Sequence, residues 1–334
     1  PDAVQINKLL AAMADAGCEF CFMEVSSHAI DQNRIEGLHF EGGVFTNLTH
    51  DHLDYHNTFK QYLNTKKKFF DNLPATAFAL SNADDKNGKV MFQNCEASKK
   101  YYALKSMATY KSKVLEQHFD GMLLHINDLE VWTHFIGRFN ASNLLAVYGV
   151  AMELGADKME TLEVISHLKP VNGRFESFRS NTGILAIVDY AHTPDALKNV
   201  LETIAQFRHG KNKVITVVGA GGNRDKSKRP EMGRIASELS DRVIITSDNP
   251  RNEEPEQIML DIRTGVSSIN LPQILEIADR KNAIKTACMM AQSGDIILVA
   301  GKGHETYQEV KGVRSHFDDK EVIKELFLQL INPN

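Results

Sequence analysis

Between residues 20 and 70 the chain gathers groups that hold metal ions and move charge. Glu24 ends one apolar run, Phe20 to Met23, and Thr46-Asn47 ends a second, Val44-Phe45. His50, Asp51, His52, Asp54 and His56 follow closely, and Lys66 lies a little further on. Lys66 is the most informative of these. The spacing predicts a helix over 58–73 whose apolar stripe is Tyr62, Phe69, Phe70 and Leu73. Lys66 falls on that stripe, one turn from Tyr62 and one from Phe70, while Lys67 and Lys68 fall on the other side. A bare ammonium facing a core is too costly, so such a lysine is paired or neutral. A neutral amine can take up carbon dioxide and become an anionic carbamate, an oxygen donor of the kind Mg²⁺ prefers. The other reading is a lysine that snorkels to water, with the K-K-K run a solvated face.

Positioning these groups requires a sheet. Each apolar run reads as a short buried strand with polar residues at its carboxyl end, where open parallel sheets bind ligands. Glu24 and Asn47 would then share one rim. Ala75 to Leu80 reads as a further strand. Residues 83–136 alternate apolar runs with polar turns (90–92, 122–126 and 129–132), as in a meander at a sheet edge. A helix over 141–154 follows, capped by Asn140 and burying Leu144, Leu145, Tyr148 and Met152.

From Ile184 onward strands and helices alternate. Strands are expected at 184–188, 214–218, 242–246 and 295–300, and helices near 195–207, 229–239, 254–264 and 280–292. This is a Rossmann-like βα repeat with a mainly parallel sheet. Each strand releases a polar turn: Asp189-Tyr190-Ala191-His192, Gly219-Ala220-Gly221-Gly222-Asn223-Arg224, Ser247-Asp248-Asn249-Pro250-Arg251, and Gly301-Lys302-Gly303-His304-Glu305. The glycine-rich turn lacks the third glycine of a dinucleotide fingerprint, Arg224 standing in its place. It reads instead as backbone amides and a guanidinium offered to an anion. Arg251 could clamp an amino-acid carboxylate through two parallel bonds. Each turn, taken singly, is also an ordinary strand-end connection. A terminal helix over 320–330, with Val322, Ile323, Leu326 and Leu330 inward, carries no site.

E-V-S-S-H, F-T-N-L-T-x-D-H-L-D-Y-H and Y-x-x-x-K-x-x-F-F together resemble the central domain of the Mur ligases, ATP-dependent enzymes that add amino acids to the peptidoglycan precursor. The later turns extend the resemblance over nearly the whole chain. It implies a partial central domain over 1–177, a P-loop-type, mostly parallel sheet that binds ATP and Mg²⁺. A C-terminal Rossmann-like α/β domain over 178–334 would bind the amino acid, with the boundary in the Glu176–Thr182 stretch. Glu24, His52 and carbamylated Lys66 would hold Mg²⁺ and carry the catalytic role. Asn143 would reach adenine (an ordinary helix-start asparagine is the plain alternative), Arg174 the ATP phosphates and Asp189 the ribose. Ser26, Gln32 and Arg34 would bind the UDP-N-acetylmuramoyl dipeptide. In the family, D-N-P-R (Asp248, Asn249, Pro250, Arg251) marks addition of meso-diaminopimelate, Arg251 pairing with its distal carboxylate, and Gly301 and Glu305 hold its ammonium end. Arg224 joins that substrate set. The implied reaction activates the D-glutamate γ-carboxylate as an acyl phosphate, which the diaminopimelate amine attacks.

The remaining features narrow the field. The chain has 334 residues, 43% hydrophobic and 24% charged, and a net charge of −5, as in soluble two-domain proteins. No basic block suggests nucleic acid. No signal peptide or long apolar run is seen, so a cytoplasmic monomer is expected. Cys18-x-x-Cys21 has no matching second pair, and buried free thiols are expected there. No G-x-x-x-x-G-K-[ST] occurs. In the resembled family a phosphate loop and a uridine-nucleotide domain precede this stretch. The chain is therefore expected to be a truncated piece, inactive alone. A folylpolyglutamate-synthase-like ligase and a non-catalytic binding protein are the rival readings. D-N-P-R and the Ser26, Gln32 and Arg34 set argue against the first, and the coding frame upstream of Pro1 would decide the second.

Overall fold

The computed structural model describes residues 1–49, 53–208 and 210–329. Its first sheet has six strands in sequence order: β1 (Gly42–Phe45), β2 (Phe78–Asn82), β3 (Ser98–Ala103), β4 (Tyr110–His118), β5 (Gly121–Ile126) and β6 (Leu129–Thr133). β1 to β4 run parallel, and β4, β5 and β6 form an antiparallel meander. The helix Arg138–Glu153 covers the meander side, burying Leu144, Leu145 and Tyr148 against Met122, Leu124 and Ile126. The helix Phe59–Asp71 lies near the other end, packing Tyr62 and Phe70 with Phe45 and Leu73.

The second sheet contains β7 (Glu176–Arg179), β8 (Leu185–Asp189), β9 (Val214–Val218), β10 (Arg242–Ile245), β11 (Ile274–Glu276) and β12 (Ile296–Ala300), in spatial order β11-β10-β9-β12-β8-β7. All but β7 are parallel. β8, β9 and β12 are buried at every position, which is why they read as unbroken apolar runs. Helices pack on both faces around two separate apolar cores. A hairpin, β13 (Tyr307–Val310) and β14 (Val313–His316), follows β12.

Five expectations are corrected. Phe20 to Met23 forms no strand, and Phe20 and Phe22 are 60% and 75% exposed. It faces a cavity of about 840 Å³ whose opposite wall includes Gly42 to Asn47. Among the described residues β1 is the sheet edge, and the 20–23 run lines a cavity with it rather than pairing to it. Cys18 and Cys21 are exposed for the same reason, whereas Cys95 and Cys288 are buried. Residues 90–92 are not a strand: Gly88–Met91 is one helical turn that buries Met91, and so short an apolar run fits either period. Asn140 does not cap its helix. Gly137, at φ 93°, starts the helix earlier, and the Asn140 amide instead donates to the Ile136 carbonyl at 2.8 Å. Lys67 is buried, its Nζ 2.5 Å from Asp71 Oδ1 one turn on; pairing lets it face inward where periodicity put it outside. Leu330 lies outside the described residues.

Candidate functional site

The first cluster surrounds Lys66. It is half-buried and lines the cavity between the 20–23 segment and β1, with Val25, Thr46 and Asn47 also in its wall. Its Nζ sits 5.7 Å from the centre of the Tyr62 ring. Burial lowers its pKa, and the Glu24 carboxylate pulls it part of the way back up. Glu24 is thus close enough to act on Lys66 electrostatically, although the strand expected to carry it is not formed. His52, with His50 and Asp51, lies outside the described residues. Among the described residues no three His, Cys, Asp or Glu side chains converge as a metal site. What the structure offers toward Mg²⁺ is therefore a carboxylate beside a partly desolvated amine. That fits a two-oxygen donor set only if the amine carries a carbamate.

Beneath this cluster a short helix, Ser27–Asp31, is capped by Ser26, whose Oγ accepts the Ala29 N–H at 3.1 Å. Gln32 follows the helix. Its Oε1 accepts the Arg34 Nε–H at 2.9 Å, and its amide donates to Tyr55 Oη at 3.3 Å; that hydroxyl donates on to Asp31 at 2.9 Å. His56 is buried, stacked on Tyr62 at 5.3 Å and 2.8 Å from Ser27 Oγ. Ser26, Gln32 and Arg34 thus sit on one small helix-and-turn unit anchored to the segment before the Lys66 helix.

The second cluster lies on the second sheet. β10, β9, β12 and β8 are adjacent and parallel, so they release all four polar turns from one rim. Asp189 ends β8, and its Oδ2 accepts the Phe175 backbone N–H at 2.7 Å. Burial raises its pKa to about 6, against the opposing pull of the Phe175 N–H and the Arg174 charge. Arg174 is exposed and stacks on Tyr190, 4.8 Å from the ring centre. Gly173 has φ 70°, and a Cβ there would lie 2.1 Å from the His304 backbone nitrogen. Only glycine lets this linker touch the 301–305 turn. Asn143 is exposed on the helix whose Phe139 meets Phe175 at 6.3 Å between ring centres, so its helix abuts the Asp189 region.

Arg251 adopts φ 52°, a left-handed conformation that a non-glycine residue holds only under local constraint. The constraint is visible: Arg251 N–H donates to the Glu309 carbonyl at 3.0 Å, and its Nη1 donates to the Gly222 carbonyl at 2.8 Å. The guanidinium is therefore held against the glycine-rich turn. Arg224, expected to face an anion, is exposed and donates to its own neighbour's carbonyl at 3.0 Å. Asp248 and Asn249 are buried. A Cβ on Gly301 would stand 2.6 Å from Asp248 Oδ2, so that position too must be glycine. Asn249 Nδ2 donates to Glu305 Oε2 at 2.7 Å, which joins the 248–251 and 301–305 turns.

Sequence reasoning missed three buried cations at this rim; one of them, Arg229, donates to the Gly221 carbonyl at 3.3 Å and pairs with Glu253 and Asp261 at 2.9 and 2.8 Å. Lys302 is fully buried, its Nζ 3.2 Å from Asn249 Oδ1 and 3.4 Å from Glu305 Oε2. Arg280, also fully buried, pairs with Asp319 at 2.8 Å and donates to the Ala300 carbonyl at 3.1 Å. Lys302 stood inside a noted turn, but nothing in its type or spacing showed which way it points. Arg280 begins a helix, where an exposed arginine is the default.

Comparison with known proteins bears on both clusters. The Mur ligase middle domain matches residues 1–151, and the Mur ligase, glutamate ligase domain matches residues 173–303. A UDP-N-acetylmuramoyl-L-alanyl-D-glutamate–2,6-diaminopimelate ligase of Phocaeicola vulgatus is 61% identical over 327 residues, 98% of this chain and 68% of that protein. The enzyme of the same name from Chlorobaculum tepidum is 39% identical over 348 residues, 99% of this chain and 67% of that one. A solved structure of a ligase of that name superposes with a TM-score of 0.64 at 36% identity, covering 99% of this chain and 69% of that one. A UDP-N-acetylmuramate-alanine ligase from Thermotoga maritima shares the fold, with a TM-score of 0.60 at 17% identity over 92% of this chain and 62% of that one.

Proposed function

The chain belongs to the Mur ligase family, and we propose that it carries the metal-binding and amino-acid-binding halves of an ATP-dependent ligase of peptidoglycan synthesis. The ligase adds meso-2,6-diaminopimelate to UDP-N-acetylmuramoyl-L-alanyl-D-glutamate. Residues 1–177 form the ATP and Mg²⁺ half, and residues 178–334 receive the amino acid. The observation that carries this reading is Arg251. Its guanidinium is pinned at the strand rim beside the glycine-rich turn, and the turn that bears it holds Asp248 and Asn249 next to Glu305. A fixed guanidinium recognises a carboxylate by two parallel bonds, and the carboxylates alongside recognise an ammonium. Diaminopimelate has both groups at its distal end.

Glu24, His52 and a carbamylated Lys66 would hold Mg²⁺, which would supply positive charge to offset repulsion between the substrate carboxylate and the triphosphate. Asp189 accepts ribose hydroxyls, Arg174 faces the phosphates and Asn143 the adenine. Ser26, Gln32 and Arg34 orient the muramoyl dipeptide so that its γ-carboxylate is presented for activation. The diaminopimelate amine then attacks the acyl phosphate and phosphate leaves. The protein's share is positioning and charge neutralisation.

The test is product formation from the UDP-dipeptide, ATP and Mg²⁺ with meso-diaminopimelate, L-lysine or a folate as competing substrates, the chain being supplied with a phosphate-loop segment. Diaminopimelate product should dominate. Preference for lysine or folate would overturn the reading.

A further inference from the structure

We propose that Lys302 is a positioning residue that sets the charge of the amino-acid pocket, so that the pocket accepts one ammonium group. The inference rests on the reading of this rim as the amino-acid site and names what selects the ammonium end.

Asp248 and Glu305 are two carboxylates at one strand rim, and neither is paired to an arginine. Lys302 Nζ stands between them, 3.8 Å from Asp248 Oδ1 and 3.4 Å from Glu305 Oε2, and 5.5 Å from the Tyr307 ring centre. The other cation that feels both carboxylates, Arg280, is already matched by buried Asp319. Asp248, Glu305 and Lys302 together therefore carry a net charge of −1, and the Arg251 guanidinium on the adjoining turn is left for the ligand's carboxylate. That balance suits a single incoming ammonium. Without Lys302 the two carboxylates would share the pocket with no cation between them.

Lys302 also fixes geometry. Asn249 Oδ1 receives the Lys302 ammonium at 3.2 Å and the Glu309 backbone N–H at 2.9 Å. With its oxygen so occupied, the Asn249 amide must turn its Nδ2 toward Glu305, the 2.7 Å bond that joins the two turns. A neutral side chain at 302 leaves the Glu309 N–H alone to orient the amide and removes the ammonium that holds Glu305. Gly301 allows this arrangement, because any side chain there would displace Asp248.

The test is calorimetric titration of the chain and of Lys302→Gln, Lys302→Arg and Arg251→Ala with meso-diaminopimelate and with L-lysine, which has the distal ammonium but no distal carboxylate. Melting temperatures are taken on the same samples. Lys302→Gln should weaken every amino acid that the unaltered chain binds by at least about tenfold at temperatures well below its own melting point. Lys302→Arg, which keeps the charge, should stay within about threefold. Arg251→Ala should weaken diaminopimelate alone. If Lys302→Gln binds as well as the unaltered chain, or if affinity in both position-302 variants merely tracks melting temperature, the proposal is wrong. Should Lys302→Gln not fold, a tenfold loss in a stably folded Lys302→Arg overturns it. If Arg251→Ala fails to distinguish the two ligands while Lys302→Gln weakens both, the diaminopimelate reading falls and the charge assignment stands. Binding of neither ligand by the unaltered chain overturns both.

Discussion

Asp189 and Phe175 are joined by a 2.7 Å bond from the Phe175 backbone N–H to the Asp189 carboxylate, which ties the linker to the end of β8. The carboxyl is buried and its pKa is raised to about 6. A folded-state pKa above the unfolded value means that the folded chain binds more protons between roughly pH 4 and 6. This group therefore favours folding at low pH, and its contribution is lost as pH rises through about 6. The loss is up to roughly 3 kcal/mol, at about 1.4 kcal/mol per pKa unit. Urea unfolding from pH 4 to 8 should show that decline in the unaltered chain and a flatter profile in Asp189→Asn. Equal slopes would refute the assignment. Nucleotide affinity should move the other way, weakening below about pH 6 as the carboxylate is protonated.

Arg251→Ala should weaken diaminopimelate binding while leaving UDP-dipeptide binding intact. The guanidinium touches only the second-sheet rim, and Ser26, Gln32 and Arg34 lie on a separate unit. Loss of a buried carboxylate partner costs about 2–5 kcal/mol, or at least about thirtyfold in affinity. Equal loss of both substrates in parallel titrations would instead indicate a general collapse of the site.

Lys66 should form a carbamate in the presence of bicarbonate and Mg²⁺, because burial lowers its pKa and so favours the nucleophilic neutral amine. Carbon-13 NMR with labelled bicarbonate should show a carbamate resonance that Lys66→Arg lacks. A signal that persists in the variant would assign the modification elsewhere.

These 334 residues contain no G-x-x-x-x-G-K-[ST] pattern, so the chain by itself should give no diaminopimelate-dependent ADP. A coupled ADP assay checks this, and sustained turnover would show that another turn cradles the phosphates.

The second sheet is legible because β8, β9 and β12 are buried on both faces and the polar turns fall at the strands' carboxyl ends; 214–218 is a strand over its whole length. β3 and β4 were not placed one by one, since Ser98–Ala103 and Tyr110–His118 mix lysines with tyrosines. Phe20 to Met23 reads as a strand by composition, but a strand also needs a neighbour, and composition cannot supply one. Asp248, Asn249, Arg251 and Glu305 could be picked from their turns. The Lys302 and Arg280 side chains could not, because whether a cation is buried depends on partners distant in sequence, Asn249 and Asp319.

Among the described residues one side of β1 pairs with no strand, which has a practical consequence. A free strand edge beside exposed Phe20 and Phe22 invites backbone pairing between copies. Clumping should therefore grow with protein concentration, and light scattering on a dilution series would track it. Placing lysine at Phe20 and Phe22 should keep stock solutions clear while leaving the Arg251 rim, built on the other sheet, untouched.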